Sequence, residues 1–215
     1  DIGLMYAKNG YKVEVFSNYH DLGLSKVKTD VIVLDTNSRA DSPDEAYNKV
    51  FDATQRLLPL NCRLLTKKTC SVFRGNVGIE FDAMLDAAQE NFANVICAFP
   101  KNGRITKDGL HYVHGKLLSE SEFAHDPLHP MTKSDLRQIV AEQTKRPISL
   151  VDYRTIARGV AAIRDQIEKA RRVGGYLIFD SRDQDDLETV AQALANECFI
   201  FGSSALAEEL PKYWG

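Results

Sequence analysis

A strand-like run that ends in two lysines leads directly into a turn and a helix in one short stretch of this chain. The stretch reads Lys67-Lys68-Thr69-Cys70-Ser71-Val72-Phe73-Arg74-Gly75-Asn76-Val77-Gly78-Ile79-Glu80. It brings cations and the N–H groups of a helix start close together, and both favour negative charge. The stretch therefore predicts a strand-to-helix turn that binds a small anion.

Strand and helix patterns alternate on both sides of this stretch. Short β-branched runs predict buried strands at 12–16 and 31–35, and Ser-Pro-Asp-Glu at 42–45 predicts a capped helix that extends to about Leu58. Further strands are predicted at 63–66, 94–99, 148–151, 175–180 and 198–201, and further helices at 77–92, 134–144, 155–173, 183–196 and 203–210.

This alternation predicts an α/β fold with a mostly parallel sheet and helices on both faces, a three-layer, Rossmann-like arrangement. A β-hairpin insertion is expected at 104–113, where Asp108-Gly109 favours a primed turn. Residues 1–10 have the pattern of a helix closed by Gly10 and followed by a strand. We therefore expect a first strand to precede Asp1, and we predict one domain over residues 1–215.

Composition sets broad limits on function. The 215 residues are 44% hydrophobic and 27% charged, with a net charge of −3, which argues against a nucleic-acid-binding protein. No run approaches the roughly 18 apolar residues of a membrane span. The four cysteines lack CxxC spacing and are interpreted as small core residues in a reducing cytoplasm: Cys62, Cys70, Cys97 and Cys198.

Four predicted strand ends carry polar or cationic side chains. In a doubly wound sheet these ends share one edge, where ligands bind, so Arg39, Lys68, Arg74 and Arg104 are expected to converge. Arginine suits a carboxylate or a phosphate because its guanidinium can bind either through two hydrogen bonds. The alternative is that these are solvated loop residues, and that Gly75 and Gly78 serve only the turn and helix packing.

Other motifs that carry chemistry are weak or missing from the sequence. His111, His114, His125 and His129 lack a zinc-like arrangement on a helix, so no metal site is predicted. The chain has no GxSxG, HExxH or GxGxxG motif and no Walker-type glycine loop. If the protein is a kinase, its nucleotide must therefore be held elsewhere.

Several segments together resemble one known family. They are 35–39 (Asp-Thr-Asn-Ser-Arg), the 67–80 stretch, 98–104, 109–115 and 121–128. The chain resembles, over nearly its whole length, the sugar-binding N-terminal domain of the four-carbon acid sugar kinases. Two departures are Cys70, where the family usually has Asp, and Ala205, where Gly is common.

The resemblance implies an ATP-dependent kinase built from two domains. The N-terminal domain would bind threonate, erythronate or an oxo-tetronate, and a C-terminal domain beyond this chain would hold ATP and Mg²⁺. Phosphate would pass to the terminal hydroxyl of the acid sugar. The family's opening strand and its Asp-Asp-x-Thr-Gly-Ala turn would precede Asp1, so the 215 residues alone are expected to be inactive.

The resemblance also assigns substrate-binding residues. Arg39 and Arg74 are expected to bind the carboxylate, and Lys68, Asn76 and His111 the hydroxyls. Ser71, Gly75 and Arg104 complete the predicted substrate-binding set, while no catalytic base is identified.

The expected partner is a small-molecule acid sugar, with a homodimer as a further expectation and neither nucleic acid nor membrane as a partner. Two alternatives from other classes stay open. One is a non-catalytic module that binds a small organic anion. The other is an isomerase or hydrolase on the same fold, which would need an acid–base pair in the pocket.

Overall fold

The structure is a computed structural model that describes residues 1–21 and 28–214. Helices and strands alternate along most of the chain. In chain order they are α1 (Ile2–Lys8), β1 (Val13–Phe16), β2 (Val31–Leu34), α2 (Pro43–Leu57), α3 (Val77–Ala88), β3 (Phe92–Ile96), β4 (Arg104–Lys107), β5 (Leu110–Val113), β6 (Lys116–Leu117), α4 (Leu136–Ala141), β7 (Ile148–Val151), α5 (Tyr153–Ile156), α6 (Val160–Val173), β8 (Gly175–Phe179), α7 (Gln184–Ala193), β9 (Ile200–Gly202) and α8 (Leu206–Glu209).

The centre of the fold is a parallel sheet with the strand order β7-β8-β3-β9. Every residue of β3 and β8 is buried, which explains why both strands are apolar apart from Asn94, whose side-chain amide donates to Glu197. One apolar cluster around Phe81 and Tyr176 covers one face, and a second around Ile163 and Leu187 covers the other. The predicted parallel sheet with helices on both faces is confirmed.

Strands β1 and β2 form a separate parallel pair, which we call the outer pair. All four residues of β2 are half-buried, and Val15 of β1 is 66% exposed. Helix α1 packs against this pair, with Gly3 close to Val13 and Val33. The outer pair thus lies beside the main sheet without a hydrogen-bonded strand joining them among the described residues.

The hairpin insertion is present where it was predicted. Strands β4 and β5 are antiparallel, and Asp108 and Gly109 both have positive φ angles, as a primed turn requires. A third strand, β6, extends the hairpin into a small sheet. Asp180 at the end of β8 accepts the N–H groups of Asp108 and Gly109, so the hairpin is anchored to the carboxyl edge of the main sheet.

Several element predictions need correction, including the strand expected at 94–99, which is Phe92–Ile96, and the helix expected at 203–210, which is Leu206–Glu209. The strand expected at 63–66 is reduced to two isolated bridges, from Leu65 to Phe199 and from Lys68 to Gly202. The helix expected at 155–173 is interrupted because Gly159 adopts a φ of 88°. The helix expected to reach 92 ends at Ala88, since Gln89 is left-handed, and the helix expected at 134–144 covers only α4.

The cysteine interpretation is partly wrong. Cys97 is fully buried, but Cys62 and Cys198 are exposed and Cys70 is half-buried. All four are free thiols. Among the residues that the structure describes, no helix combines the length and apolar character needed to cross a membrane.

Candidate functional site

A cavity of about 1330 Å³ lies between the outer pair and the main sheet. Its walls are β2 on one side and residues 62–70 on the other, and Asp126–His129 approach it from the long loop that follows β6. Of the eight predicted site residues, Arg39, Lys68 and Arg74 line this cavity. Arg39 follows the end of β2, while Lys68 and Arg74 follow residues 63–66, which form only isolated bridges in place of the predicted strand.

Arg39 is an exposed cation on the wall of the cavity. It follows β2 in the 35–40 loop, where Asn37 is left-handed and its N–H is held by the Asp35 carboxylate. The Arg39 guanidinium makes no hydrogen bond or ion pair with any residue that the structure describes. It is therefore available to an anionic ligand.

Lys68 extends from the opposite wall. Its Nζ lies 3.0 Å from the carboxylate of Asp1, which precedes helix α1. Burial lowers the pKa of the Lys68 ammonium, and the positive charge of Arg39 lowers it further. Lys68 and Arg39 thus line the same cavity.

Arg74 is held in a fixed orientation by the loop that follows β6. Its Nη1 donates to Asp126 at 2.6 Å, and its guanidinium lies 5.0 Å from the centre of the Phe123 ring. Hydrogen bonds from the His129 N–H and from Arg74 lower the pKa of Asp126. The buried Arg74 Nε has no partner among the described residues, so the guanidinium retains unused hydrogen-bonding capacity.

Glu80 links the two loops that carry these cations. Its buried carboxylate accepts from Ser38 Oγ at 2.5 Å and pairs with Lys67 Nζ at 2.7 Å. Ser38 belongs to the loop of Arg39, and Lys67 precedes Lys68. Because a buried carboxylate must keep its partners, Glu80 fixes the spacing between the two loops.

The turn that opens α3 has a structural role that differs from the prediction. Gln143 Oε1 accepts the Gly78 N–H at 2.9 Å, and its amide donates to the Gly75 carbonyl. Asn76 donates to the carbonyls of Ser38 and Asp41 instead of facing the cavity. The expectation of a helix start open to an anion is therefore wrong at Gly78.

Gly75 is required by close packing between the two loops. Its φ is 88°, and an added Cβ would lie 2.7 Å from Arg39 Cγ and 2.8 Å from the Arg39 carbonyl oxygen. Any larger residue would displace Arg39. Gly75 packs against Arg39 and Asn76 donates to Ser38 and Asp41, so these two residues hold the 35–41 loop in place.

His111 is fully buried, away from the cavity. Its Nε2 lies 2.8 Å from the Ser71 carbonyl, which can only accept, so Nε2 carries the proton and Nδ1 accepts from Thr106. Burial lowers the pKa of His111 to about 4. The ring is a neutral support for the Ser71 turn, and neither nitrogen is free for a ligand.

Ser71 and Arg104 also lie outside the cavity lining. Ser71 meets His111 through its carbonyl, while the Arg104 guanidinium is 6.0 Å from the Phe123 ring centre and 3.2 Å from His114 Nε2. Arg74 and Arg104 therefore both lie near Phe123, but only Arg74 reaches the cavity. Convergence is seen for three of the four cations predicted to meet.

Sequence reasoning missed three acidic residues at this site. Asp1, Glu80 and Asp126 each hold one of its lysines or arginines. Glu80 lies within the 67–80 stretch and was available as a signal, because a carboxylate inside an apolar helix face needs a partner. Asp1 and Asp126 are distant in sequence from the cations that they hold and give no such local signal.

Comparison with known proteins agrees with this architecture. A family model described as a sugar-binding N-terminal domain matches residues 1–210. A D-erythronate kinase from Heliobacterium modesticaldum is 34% identical over 208 residues, covering 95% of this chain and 46% of the relative. A D-threonate kinase from Salmonella typhimurium is 33% identical, covering 98% of this chain and 50% of the relative.

A 3-oxo-tetronate kinase from Pseudomonas fluorescens is 37% identical over 188 residues, which cover 85% of this chain and 44% of the relative. The chain thus spans about half the length of the curated relatives it matches.

Solved structures share the fold. A Haemophilus influenzae protein of family DUF1537 superposes with a TM-score of 0.91 at 29% identity, covering 98% of this chain and 52% of that one. A Bordetella bronchiseptica DUF1537 domain, described as a domain-swapped dimer with bound citrate, has a TM-score of 0.83 at 23% identity, with coverage of 99% and 52%. At that identity the likeness concerns the fold alone. From the match over residues 1–210, this chain belongs to the family of sugar-binding N-terminal domains.

Proposed function

We propose that this chain is the acid-sugar-binding part of an ATP-dependent kinase that phosphorylates the terminal hydroxyl of a four-carbon acid sugar. The observation that carries the proposal is the Arg39 guanidinium, which has no partner among the described residues and faces a cavity that Arg74 and Lys68 also line. A four-carbon acid has one carboxylate for an arginine, and hydroxyls for an ammonium and for backbone groups.

Each residue then has a distinct task. Arg39 and Arg74 bind the substrate carboxylate, and Lys68 donates to a hydroxyl oxygen. Gly75, Asn76 and His111 support the loops on which these cations lie. Direct substrate contacts by Ser71 and Arg104 stay predictions, because both lie outside the cavity lining.

ATP and Mg²⁺ would be held by a second domain beyond this chain. The described residues contain no group of three or more His, Cys, Asp or Glu that could hold a metal ion. Magnesium bound with ATP would neutralise the charge on the transferring phosphate. This chain's own contribution is to bind the acid sugar and orient its terminal hydroxyl toward that domain. We further propose a cytoplasmic homodimer.

Activity of the whole polypeptide tests the proposal. We expect ADP release that depends on both Mg²⁺ and an added four-carbon acid, with D-threonate, D-erythronate and 3-oxo-tetronate as the compounds tested. Calorimetry on the same protein measures binding of each acid without ATP. Binding without ADP release would favour the non-catalytic anion-binding module. Absence of both would overturn the proposal.

A further inference from the structure

We infer that Asp35 is a specificity-determining residue, which makes the cavity selective for acids that carry a single carboxylate. Its side chain accepts a hydrogen bond from the terminal hydroxyl of a four-carbon acid sugar and repels a second carboxylate at that end. The inference rests on the proposed function, because it concerns the same cavity, and it adds an acidic residue to the cations already described.

Most carboxylates that line the cavity already have a charged partner. Of the five that belong to the lining, three pair with a lysine or an arginine of the same lining. These pairs are Glu80 with Lys67, Asp126 with Arg74, and Asp1 with Lys68. Asp30 lies at the amino end of β2, where it accepts the Lys12 N–H at 2.8 Å. Asp35 is the fifth, and no lysine, arginine or histidine of the described residues lies within ion-pair distance of it.

The backbone around Asp35 fixes the position of its carboxylate. The Asp35 N–H donates to the Phe16 carbonyl at 2.9 Å, which attaches the residue to the end of the outer pair. Its Oδ1 accepts the N–H of Asn37, whose φ of 46° closes the turn. Its Oδ2 has no hydrogen-bond partner in the part of the chain that the structure describes. Because Asp35 is exposed and lines the cavity, this oxygen is available to a ligand.

Asp35 and Arg39 present opposite charges from one loop without pairing with each other. The loop between them is held in place, because Gly75 packs closely against Arg39 and the buried Glu80 accepts from Ser38. A ligand that satisfies both side chains needs an anionic group for Arg39 and a hydrogen-bond donor for Asp35.

A four-carbon acid sugar has these two groups at its two ends. Its carboxylate suits the Arg39 guanidinium, and its terminal O–H can donate to the Asp35 carboxylate in a charge-assisted hydrogen bond. A second carboxylate in place of the terminal hydroxymethyl group has no proton to donate, and its charge has the same sign as that of Asp35. A site built to bind a substrate hydroxyl rejects analogues that lack it. The cavity should therefore select the monocarboxylate over the corresponding dicarboxylate.

Calorimetry on the intact protein with matched ligands tests this inference. Each acid is compared with the dicarboxylate that replaces its terminal hydroxymethyl group: meso-tartrate for D-erythronate, D-tartrate for D-threonate and oxaloglycolate for 3-oxo-tetronate. We expect the acid that binds to do so at least about tenfold more tightly than its dicarboxylate. Asp35→Asn should reduce this preference by about tenfold, since asparagine can still accept the Asn37 N–H but carries no charge.

Asp44→Asn is the matched control. Asp44 is exposed in the first turn of α2 and lies outside the cavity lining, so its substitution removes the same charge and should leave the preference unchanged. Asp35→Ser is a second neutral variant, because the serine hydroxyl can also accept the Asn37 N–H. Thermal unfolding shows whether each variant remains folded.

Equal affinity of the unmodified protein for an acid sugar and its dicarboxylate would overturn the inference and leave the proposed function intact. An unchanged preference in folded Asp35→Asn and Asp35→Ser variants would do the same, since the Asp35 carboxylate would then serve only the turn. If none of the three acid sugars bound to the unmodified protein, the proposed function would fail, and the inference with it.

Discussion

The four-stranded main sheet and the outer pair are built from similar sequences but have different surroundings. Both contain parallel β-branched runs, yet every residue of β8 is buried while every residue of β2 is half-exposed. Strand β8 has a bonded neighbour on each edge, whereas one edge of β2 faces the cavity. The comparison teaches that Arg39, Lys68 and Arg74 line a cavity where the sheet is discontinuous, at the boundary between the main sheet and the half-exposed outer pair.

The largest expected effect is a loss of stability, which should differ between matched substitutions in the main sheet and in the outer pair. Ile178→Ala in β8 removes a fully buried side chain and should cost about 2–5 kcal/mol of the free energy of unfolding. Ile32→Ala in β2 removes a half-buried side chain and should cost clearly less. Urea unfolding of both variants measures the difference. Equal losses would contradict the contrast between the main sheet and the outer pair.

The second prediction concerns the buried support beneath the Ser71 turn. Since the folded-state pKa of His111 is lowered to about 4, the unfolded chain takes up this proton first as the pH falls. Stability should therefore decrease between about pH 6.5 and pH 4, by about 3 kcal/mol from this residue. His111→Gln, which does not titrate, should flatten that dependence in urea unfolding from pH 7 to pH 4. Identical pH dependence in both proteins would show that His111 does not titrate in this way.

The smallest effect is expected at a helix start away from the cavity. Ser42 Oγ accepts the Glu45 N–H, and the Glu45 carboxylate accepts the Ser42 N–H, as the sequence predicted for a capping box. Ser42→Ala should cost about 1 kcal/mol of stability and leave acid-sugar affinity unchanged. Thermal unfolding and calorimetry check the two parts. A large loss of affinity at unchanged stability would show that the binding site includes residues at the start of this helix.

Much of the fold was predictable because its signals are local. The buried strand β8, the capping box and the Asp108-Gly109 turn each depend on a few neighbouring residues, and all three are confirmed. The strands predicted as buried at 12–16 and 31–35 form, but their burial is not confirmed, because β1 and β2 are only partly buried. The strand expected at 63–66 has the right composition, but this part of the chain pairs only through two isolated bridges, from Leu65 to Phe199 and from Lys68 to Gly202. The composition of a segment predicts whether it favours the strand conformation, but strand pairing depends on residues that are distant in the sequence.

The candidate site was predictable in outline but not in its details. The position of Arg39, Lys68 and Arg74 follows from strand ends that share one edge. The capping of Gly78 by Gln143 and the burial of His111 depend on contacts between residues 65 and 40 positions apart in the chain. No local pattern carries that information, and it decides which polar residues remain free for a ligand.

Calorimetric titration of the intact protein with four-carbon acids is the most direct test of the central claim that Arg39 and Arg74 bind the substrate carboxylate. Arg74→Ala should weaken binding by about 1.5–3 kcal/mol, the usual cost of losing a charged hydrogen bond. Arg154→Ala is the matched control, because Arg154 also pairs with aspartates but lies outside the cavity lining, and it should leave the affinity unchanged. Unchanged affinity in a folded Arg74→Ala variant would contradict the account.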